Sequence, residues 1–388
     1  MVRFLIFFYF VTNFLHIQAQ QREELTLGLF WNERPKTIIV SVRGGEYKLI
    51  ADEKLEITFK TNDMFHISVY GNKVDIKNLD TSFGTFSKIE IVEVNDTSSL
   101  NIKSSKPKLA NRVYEDDFII SSSDGRLKIL NHATLSNYVA GVIQWEAGKG
   151  RTLEYYKVQA IITRTYALKN INKYEADGFN LCDRVDSQVY KGRTKNKPIL
   201  KAVKETHDLV LVDNNMRLIS ALFFSNSGGY TQNSEDVWSK RIPYLRGKPD
   251  PYSIDQPHYK WTKTIPKDKW LNTFRTTLGV DINNSANREI ILNYCTDKAL
   301  VMFLPKEHIS TVMVRNTFHL RSTNFCVHDD GSTIIITGKG FGHGVGLSQE
   351  GAMKMANDGI KFEEILKFYY TNVHLVHRST MDYLEAED

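Results

Sequence analysis

Residues 25 to 128 alternate apolar and polar side chains over short stretches, the period of two that a strand with one buried face requires. These stretches cover 25–30, 37–42, 54–60, 64–70, 88–94 and 118–120, with turn signals at Arg43-Gly44-Gly45, Gly71-Asn72 and Asn95-Asp96 between them. A mostly antiparallel β region is predicted. At Thr134 the period lengthens: Leu135, Tyr138, Val139, Val142, Ile143 and Glu146 share one helical face, and Gly148 and Gly150 end the run. A second helix is predicted over 153–173, apolar on nearly every side and therefore buried. A polar helix (198–206), a hairpin (209–212 with 218–224) turning at Asn214-Asn215, and mixed β segments to 337 follow. A Gly-rich strand and helices over 348–357 and 362–370 close the pattern, with no internal repeat. The expected class is α+β: a β-rich region over 20–130, a mixed domain with buried helices over 131–376, and a polar tail over 377–388.

The first nineteen residues break both patterns. Arg3, an apolar run from Phe4 to Leu15 and then Ile17-Gln18-Ala19, with no acid before Glu23, have the layout of a secretory signal peptide cleaved after Ala19. A membrane anchor is the alternative, although the run is shorter than the ~20 residues that span a bilayer. No later stretch is apolar enough to span, so an exported chain with no stable membrane span after cleavage is expected. With 388 residues, 41% apolar and 24% charged, the chain can bury a large core, and its length suits two or three domains. Its formal charge of +5 is spread along the chain without a Lys/Arg run, so nucleic acid is not an expected partner. Of Cys182, Cys295 and Cys326, at most one internal pair can form, and Cys295 with Cys326 is expected because Cys182 lies in a different context.

Glu146 is the most informative residue. At 100° per residue it lies about 20° from Leu135, at the centre of the apolar stripe, with Trp145 beside it. Burial there would raise its pKa and keep it protonated near neutral pH, as a general acid requires; the other reading is a solvated Glu at a fraying helix end. Lys157 and Arg164 share one face of the second helix with Leu153, Ala160, Ile161 and Leu168, where a buried cation needs a carboxylate or an anionic ligand. Glu146 is a candidate partner, and a snorkelling surface pair is the alternative. From Gly338 to Gly346 every second residue is Gly, which does not match G-x-G-x-x-G in any frame. As a strand this would leave one face bare to a backbone or a flat sugar, with Lys339, Phe341 and His343 opposite; a tight turn around a satisfied His is the other reading. Ser227 with His343 is a weak serine-hydrolase pair, because Ser225-Asn226-Ser227-Gly228-Gly229 lacks the first Gly of a nucleophile elbow. Cys182, Asp183 and Asp186 lack metal-ligand spacing, and no metal site is expected.

Taken together these segments resemble the stage II sporulation protein D family. The resemblance rests on Asn137-Tyr138-Val139-Ala140-Gly141-Val142 leading to Glu146, on Lys157-Val158-Gln159-Ala160, and on Arg164-Thr165-Tyr166-Ala167-Leu168. In the same order follow Ser225 to Gly229, Glu235-Asp236-Val237-Trp238, Pro243-Tyr244-Leu245, Gly340 through Gln349, and Glu364 through Tyr370. What the resemblance implies is a peptidoglycan lytic transglycosylase, or its relative, an amidase enhancer that binds glycan or a cell-wall amidase without cleaving. It implies a glycan-binding cleft in the periplasm or cell wall, with Glu146 as the catalytic acid and Lys157, Arg164, Tyr166, Ser227, His343 and Gln349 as substrate-binding residues. A lytic transglycosylase needs one carboxyl group, whereas a hydrolytic glycosidase holds a second one ~5 to 9.5 Å away. Three departures from the family pattern stand out. Some members carry a His/Cys zinc cluster where this chain has Cys182, Asp186 and Ser187, so zinc is not expected and no cofactor is implied. Glu350 replaces a usual aromatic, with an expected effect on substrate contact. Lys339 replaces a usual Arg, which loses bidentate geometry.

Overall fold

The computed structural model describes residues 24–295 and 302–381; the expected signal peptide lies outside them. Strand Glu24–Leu29 pairs antiparallel with Arg126–Thr134 and parallel with Leu181–Cys182. From Arg126–Thr134 the same sheet continues through Asp117–Ser123, Lys88–Glu93, Glu46–Ala51 and Leu55–Lys60, seven strands in all. A second sheet of six strands has Thr37–Gly44 between Ser99–Lys106 and Met64–Tyr70 and is completed by Arg112–Tyr114, Lys73–Lys77 and Ser82–Phe86. Alternate side chains of the two sheets, such as Val40, Ile67 and Ile102 from one and Leu49, Ile91 and Ile129 from the other, meet in a common core. This is the period-two pattern carried into three dimensions.

Helix α1 (Leu135–Glu146) leaves strand Arg126–Thr134 without a linker. The expected domain boundary at residue 130 falls inside that strand. Thr134 caps the helix by accepting from the Asn137 N–H at 3.3 Å, and buried Tyr138, Val139, Val142 and Ile143 join the core of the sheets. Helix α2 (Leu153–Lys169) buries residues on every side, as its all-round apolar pattern predicts, and ends four residues earlier than expected. Helix α3 (Lys197–Glu205) packs on α1 and α2.

The predicted hairpin at 209–224 closes only at its turn, where the Asp213 N–H donates to the Arg217 carbonyl at 2.9 Å and the Ile219 N–H to the Leu211 carbonyl at 3.1 Å. Leu209–Val212 pairs antiparallel with His374–His377, and Phe223–Phe224 pairs in parallel with Leu347–Ser348, which leaves an isolated bridge between Val212 and Leu218 at that turn. After the short α4 (Ser234–Trp238), residues 260–339 build a core of their own. There the antiparallel strands Lys260–Pro266, Thr333–Lys339 and Asn324–Asp329 pack with α5 (Lys267–Thr276), α6 (Ser285–Asn293) and α7 (Thr311–Phe318) around Trp270, Phe274, Phe303 and Phe325. A disulfide joins Cys295 to Cys326 in this unit, and Cys182 is a buried free thiol. The chain then returns to the main core through α8 (Gln349–Asn357) and α9 (Phe362–Tyr369).

Candidate active site

Glu146 is the last residue of α1, half-buried, with its carboxyl group turned toward the loop that follows Cys182. The backbone N–H of Val189 donates to its Oε1 at 3.0 Å. Burial raises the Glu146 pKa above the ordinary carboxylate range, while the Val189 N–H and the charge of Lys191 oppose that rise. The Lys191 ammonium is 4.8 Å from the centroid of the half-exposed Trp145 ring, so the cation rests on the residue just before the acid. On the other side, the Gln349 amide donates to the Glu146 carbonyl at 3.5 Å and satisfies one of the open carbonyls at the end of α1.

Close approach makes this geometry possible. Gly141 lies where a Cβ would be 2.5 Å from Tyr190 Cε2 and 2.6 Å from the Gly192 carbonyl, so only glycine lets the 182–192 loop lie on α1. The loop is tied down by Tyr138, whose hydroxyl donates to Gln188 Oε1 at 3.2 Å, and by Asp183, which pairs with Arg112 at 2.5 Å and accepts from the Phe30 N–H at 2.9 Å. Tyr166 reaches the same loop and donates to the Asp186 carbonyl at 3.4 Å.

Other expected site residues are engaged elsewhere. Lys157 does not meet Glu146: it pairs with Glu205 at 2.9 Å and Glu154 at 3.3 Å and lies over the Phe362 ring, tying α2 to α3 and α9. Arg164 does not meet Glu146 either. Val189 and Lys191, not Arg164, act on the Glu146 carboxyl, and the Arg164 guanidinium donates to the Leu209 carbonyl at 2.9 Å. Ser227 Oγ is buried, 2.7 Å from Asp250 Oδ2 and 2.6 Å from Ser253 Oγ, in a cluster that Tyr369 completes by donating to Asp250. His343 accepts from the Val345 N–H at Nδ1, which leaves the proton on Nε2 for the Phe223 carbonyl at 3.1 Å. Its burial pushes the imidazole pKa down to about 4. Both ring nitrogens are occupied, so a Ser227–His343 nucleophile pair is ruled out, and the satisfied-His reading of the glycine segment holds.

A family profile described as Stage II sporulation protein matches residues 123–212, the span of α1, α2 and the loop over them. Stage II sporulation protein D of Bacillus subtilis is 33% identical over 258 residues, covering 62% of this chain and 74% of that protein. The chain belongs to the stage II sporulation protein D family. An uncharacterized protein of Brachyspira hyodysenteriae is 32% identical over 256 residues, covering 64% of this chain and 68% of that one. The amidase enhancer of Bacillus subtilis is 28% identical over 291 residues, 61% of this chain and 40% of the enhancer.

The residues at the family's zinc-cluster position do not fit a metal. Cys182 Sγ is 3.4 Å from the Tyr174 hydroxyl and 3.5 Å from Ser187 Oγ, Ser187 donates no charge to an ion, and Asp186 is exposed. Among the described residues, His207, Asp208 and His377 bring potential ligand atoms within 4.8 Å of one another, at the end of the Leu209–Val212 and His374–His377 ribbon rather than at Glu146. Two parts of the acid site were invisible to sequence reasoning. Neither the Val189 N–H nor Lys191 carries a periodic signal, because a loop brings them to position 146 from more than forty residues away.

Proposed function

We propose that the protein is an exported peptidoglycan lytic transglycosylase that cleaves the bond between N-acetylmuramic acid and N-acetylglucosamine without water, using Glu146 alone as acid and then base. The observation that carries this reading is the half-buried carboxyl group of Glu146, with its pKa raised and one oxygen held by the Val189 N–H. With Oε1 accepting from the backbone, Oε2 is the oxygen left to carry the transferable proton. The protonated acid gives that proton to the glycosidic oxygen as the bond to C1 of muramic acid breaks. The resulting carboxylate takes the proton of the C6 hydroxyl as O6 closes on C1, which yields the 1,6-anhydro sugar and restores the acid. Lys191 stabilises the intermediate carboxylate and keeps its pKa from climbing so far that the proton is held too tightly. Gln349, which touches the Glu146 carbonyl, and Tyr166, which holds the 182–192 loop, are the substrate contacts of this reading. Lys157, Arg164, Ser227 and His343 act through packing. No metal or other cofactor takes part.

The similarity to the amidase enhancer supports a second reading, in which the same cleft binds glycan or an amidase without cleaving. Mass spectrometry of purified peptidoglycan after incubation with the protein separates the two. Products ending in 1,6-anhydro sugar that are absent with Glu146→Gln support the lyase. Intact glycan together with faster cleavage by an added cell-wall amidase supports the enhancer.

A further inference from the structure

Away from Glu146, the corner between α3 and strand Leu209–Val212 brings two imidazoles and a carboxylate together. His207 and Asp208 follow Thr206, the cap residue of α3, and His377 pairs with Leu209 in the register of the ribbon, so the three residues share one end of it. One potential ligand atom from each lies within 4.8 Å of the other two. A tetrahedral zinc ion with bonds of about 2.0 to 2.1 Å sets its ligand atoms about 3.3 Å apart. His207 Nδ1 and Asp208 Oδ2 are already 3.5 Å apart, and rotation of the exposed His377 ring closes the remainder. Both strands are fixed here by their backbones: the Arg378 N–H donates to the Asp208 carbonyl at 2.9 Å, and the Leu209 N–H to the Thr206 carbonyl at 3.1 Å. Asp208 itself has φ +55°, in the left-handed region that few residues other than glycine adopt. Its side chain is only 15% exposed, and the Arg378 guanidinium lies 3.9 Å from Oδ1, on the opposite oxygen from His207. Ser379 Oγ is 2.8 Å from His377 Nδ1; when Nδ1 donates there, Nε2 keeps the lone pair, the outer hydrogen bond that orients a metal-bound imidazole. The C-terminal end of α3, which precedes His207, carries the negative pole of the helix dipole and favours a cation.

We propose that His207, Asp208 and His377 form a site for a divalent transition-metal ion of the zinc class, completed by water, which clips the strand His374–His377 to the end of α3. Two imidazoles with one carboxylate suit zinc and its neighbours, whereas magnesium and calcium prefer oxygen ligands throughout. The ion plays no part in the chemistry at Glu146, and the site is distinct from the Cys182 segment, whose residues do not fit a metal. The Arg378 guanidinium repels the ion, so three ligands and one nearby positive charge make a weaker site than a closed four-ligand cluster.

The test is calorimetric titration of the full, chelator-treated chain with Zn²⁺, beside Mg²⁺ as a hard-cation control. One Zn²⁺ per chain with a Kd of about 10 µM or tighter is expected, together with a melting temperature that rises with zinc. His207→Ala, Asp208→Asn and His377→Ala, each checked for wild-type melting without metal, are expected to weaken zinc binding at least about tenfold. His374 is equally exposed on the same ribbon but contacts Asn214 at the other end, so His374→Ala is expected to bind zinc like wild type. Cys182→Ser is expected to do the same. Amide hydrogen exchange over residues 374–378 should slow with zinc in wild type and not in His377→Ala, which reads the clip directly. Absence of saturable zinc binding, equal affinity for Mg²⁺, or wild-type zinc affinity in the folded His207→Ala and His377→Ala variants would overturn the site. Zinc binding lost in Cys182→Ser, or weakened as much in His374→Ala as in His377→Ala, would place the ion elsewhere and overturn it as well.

Discussion

At the scale of single residues, the proposed chemistry depends on how burial and two groups, the Val189 N–H and Lys191, set the proton affinity of Glu146. Burial favours the neutral carboxyl, and the Val189 N–H and Lys191 favour the anion. Glu146→Gln is therefore expected to keep the fold and abolish 1,6-anhydro products, read by mass spectrometry. It should also show a pH-dependent stability difference. Because the folded pKa of Glu146 is raised, ionisation costs the folded state as pH climbs past the unfolded value of a Glu. The Gln variant escapes that cost, so its melting temperature should exceed that of wild type above neutral pH and converge with it in acid. Lys191→Met removes the cation that opposes the rise, so the pKa of Glu146 climbs further. The alkaline limb of the cleavage profile, which reports loss of the acid's proton, should then move to higher pH. A profile unchanged in Lys191→Met would separate Lys191 from the acid.

At the scale of elements, the packing of the 182–192 loop against α1 decides whether those groups stay aligned. Gly141→Ala would place a methyl group 2.5 Å from the Tyr190 ring and 2.6 Å from the Gly192 carbonyl. Overpacking of this kind costs about 1 to 3 kcal/mol, and a loop moved by ~1 Å carries the Val189 N–H off its carboxylate at a cost of up to ~100-fold in rate. Cleavage by the folded variant should thus fall far more than its melting temperature suggests. Arg164 behaves in the opposite way. Its guanidinium holds the Leu209 carbonyl at the start of the Leu209–Val212 strand, so Arg164→Ala should lose about 1 to 3 kcal/mol in denaturant unfolding while turnover per folded molecule stays close to wild type. A large fall in turnover at unchanged stability would return Arg164 to the cleft.

At the scale of the whole molecule, two large cores organise the described residues, beside a small cluster of Leu130, Phe179 and Cys182. The β-sandwich, α1 to α3 and the closing helices share one core, and residues 260–339 hold the other. The Cys295–Cys326 disulfide, 31 residues apart, lies wholly within the smaller unit. Its loss should cost that unit roughly 3 to 4 kcal/mol by the loop-entropy estimate. Calorimetry with and without reductant should show a transition that moves to lower temperature on reduction beside one that does not. A single transition that moves as a whole would mean that the two cores unfold together.

What the sequence determined by itself was everything carried by local periodicity and by motif spacing. The alternation before Thr134 marked the strands, the helical run from Leu135 to Ile143 marked the buried face of α1, and the place of Glu146 on that stripe offered a desolvated acid beside a solvated helix end. Those features were legible because strand and helix periods record which side of an element meets the core. The tertiary structure alone decided what each side chain meets. Lys157 and Arg164 share a helical face in the sequence, yet one reaches Glu205 and the other a strand carbonyl, because α3 and the Leu209–Val212 strand cover different turns of α2. The same holds for Leu209–Val212, whose nearby turn suggested a hairpin but whose strand ladder forms with His374–His377, and for Glu350, whose carboxylate is spent on His258. A hydrogen bond or an ion pair between residues distant in the chain leaves no period to read; it exists only once the cores have folded and excluded water from one set of partners.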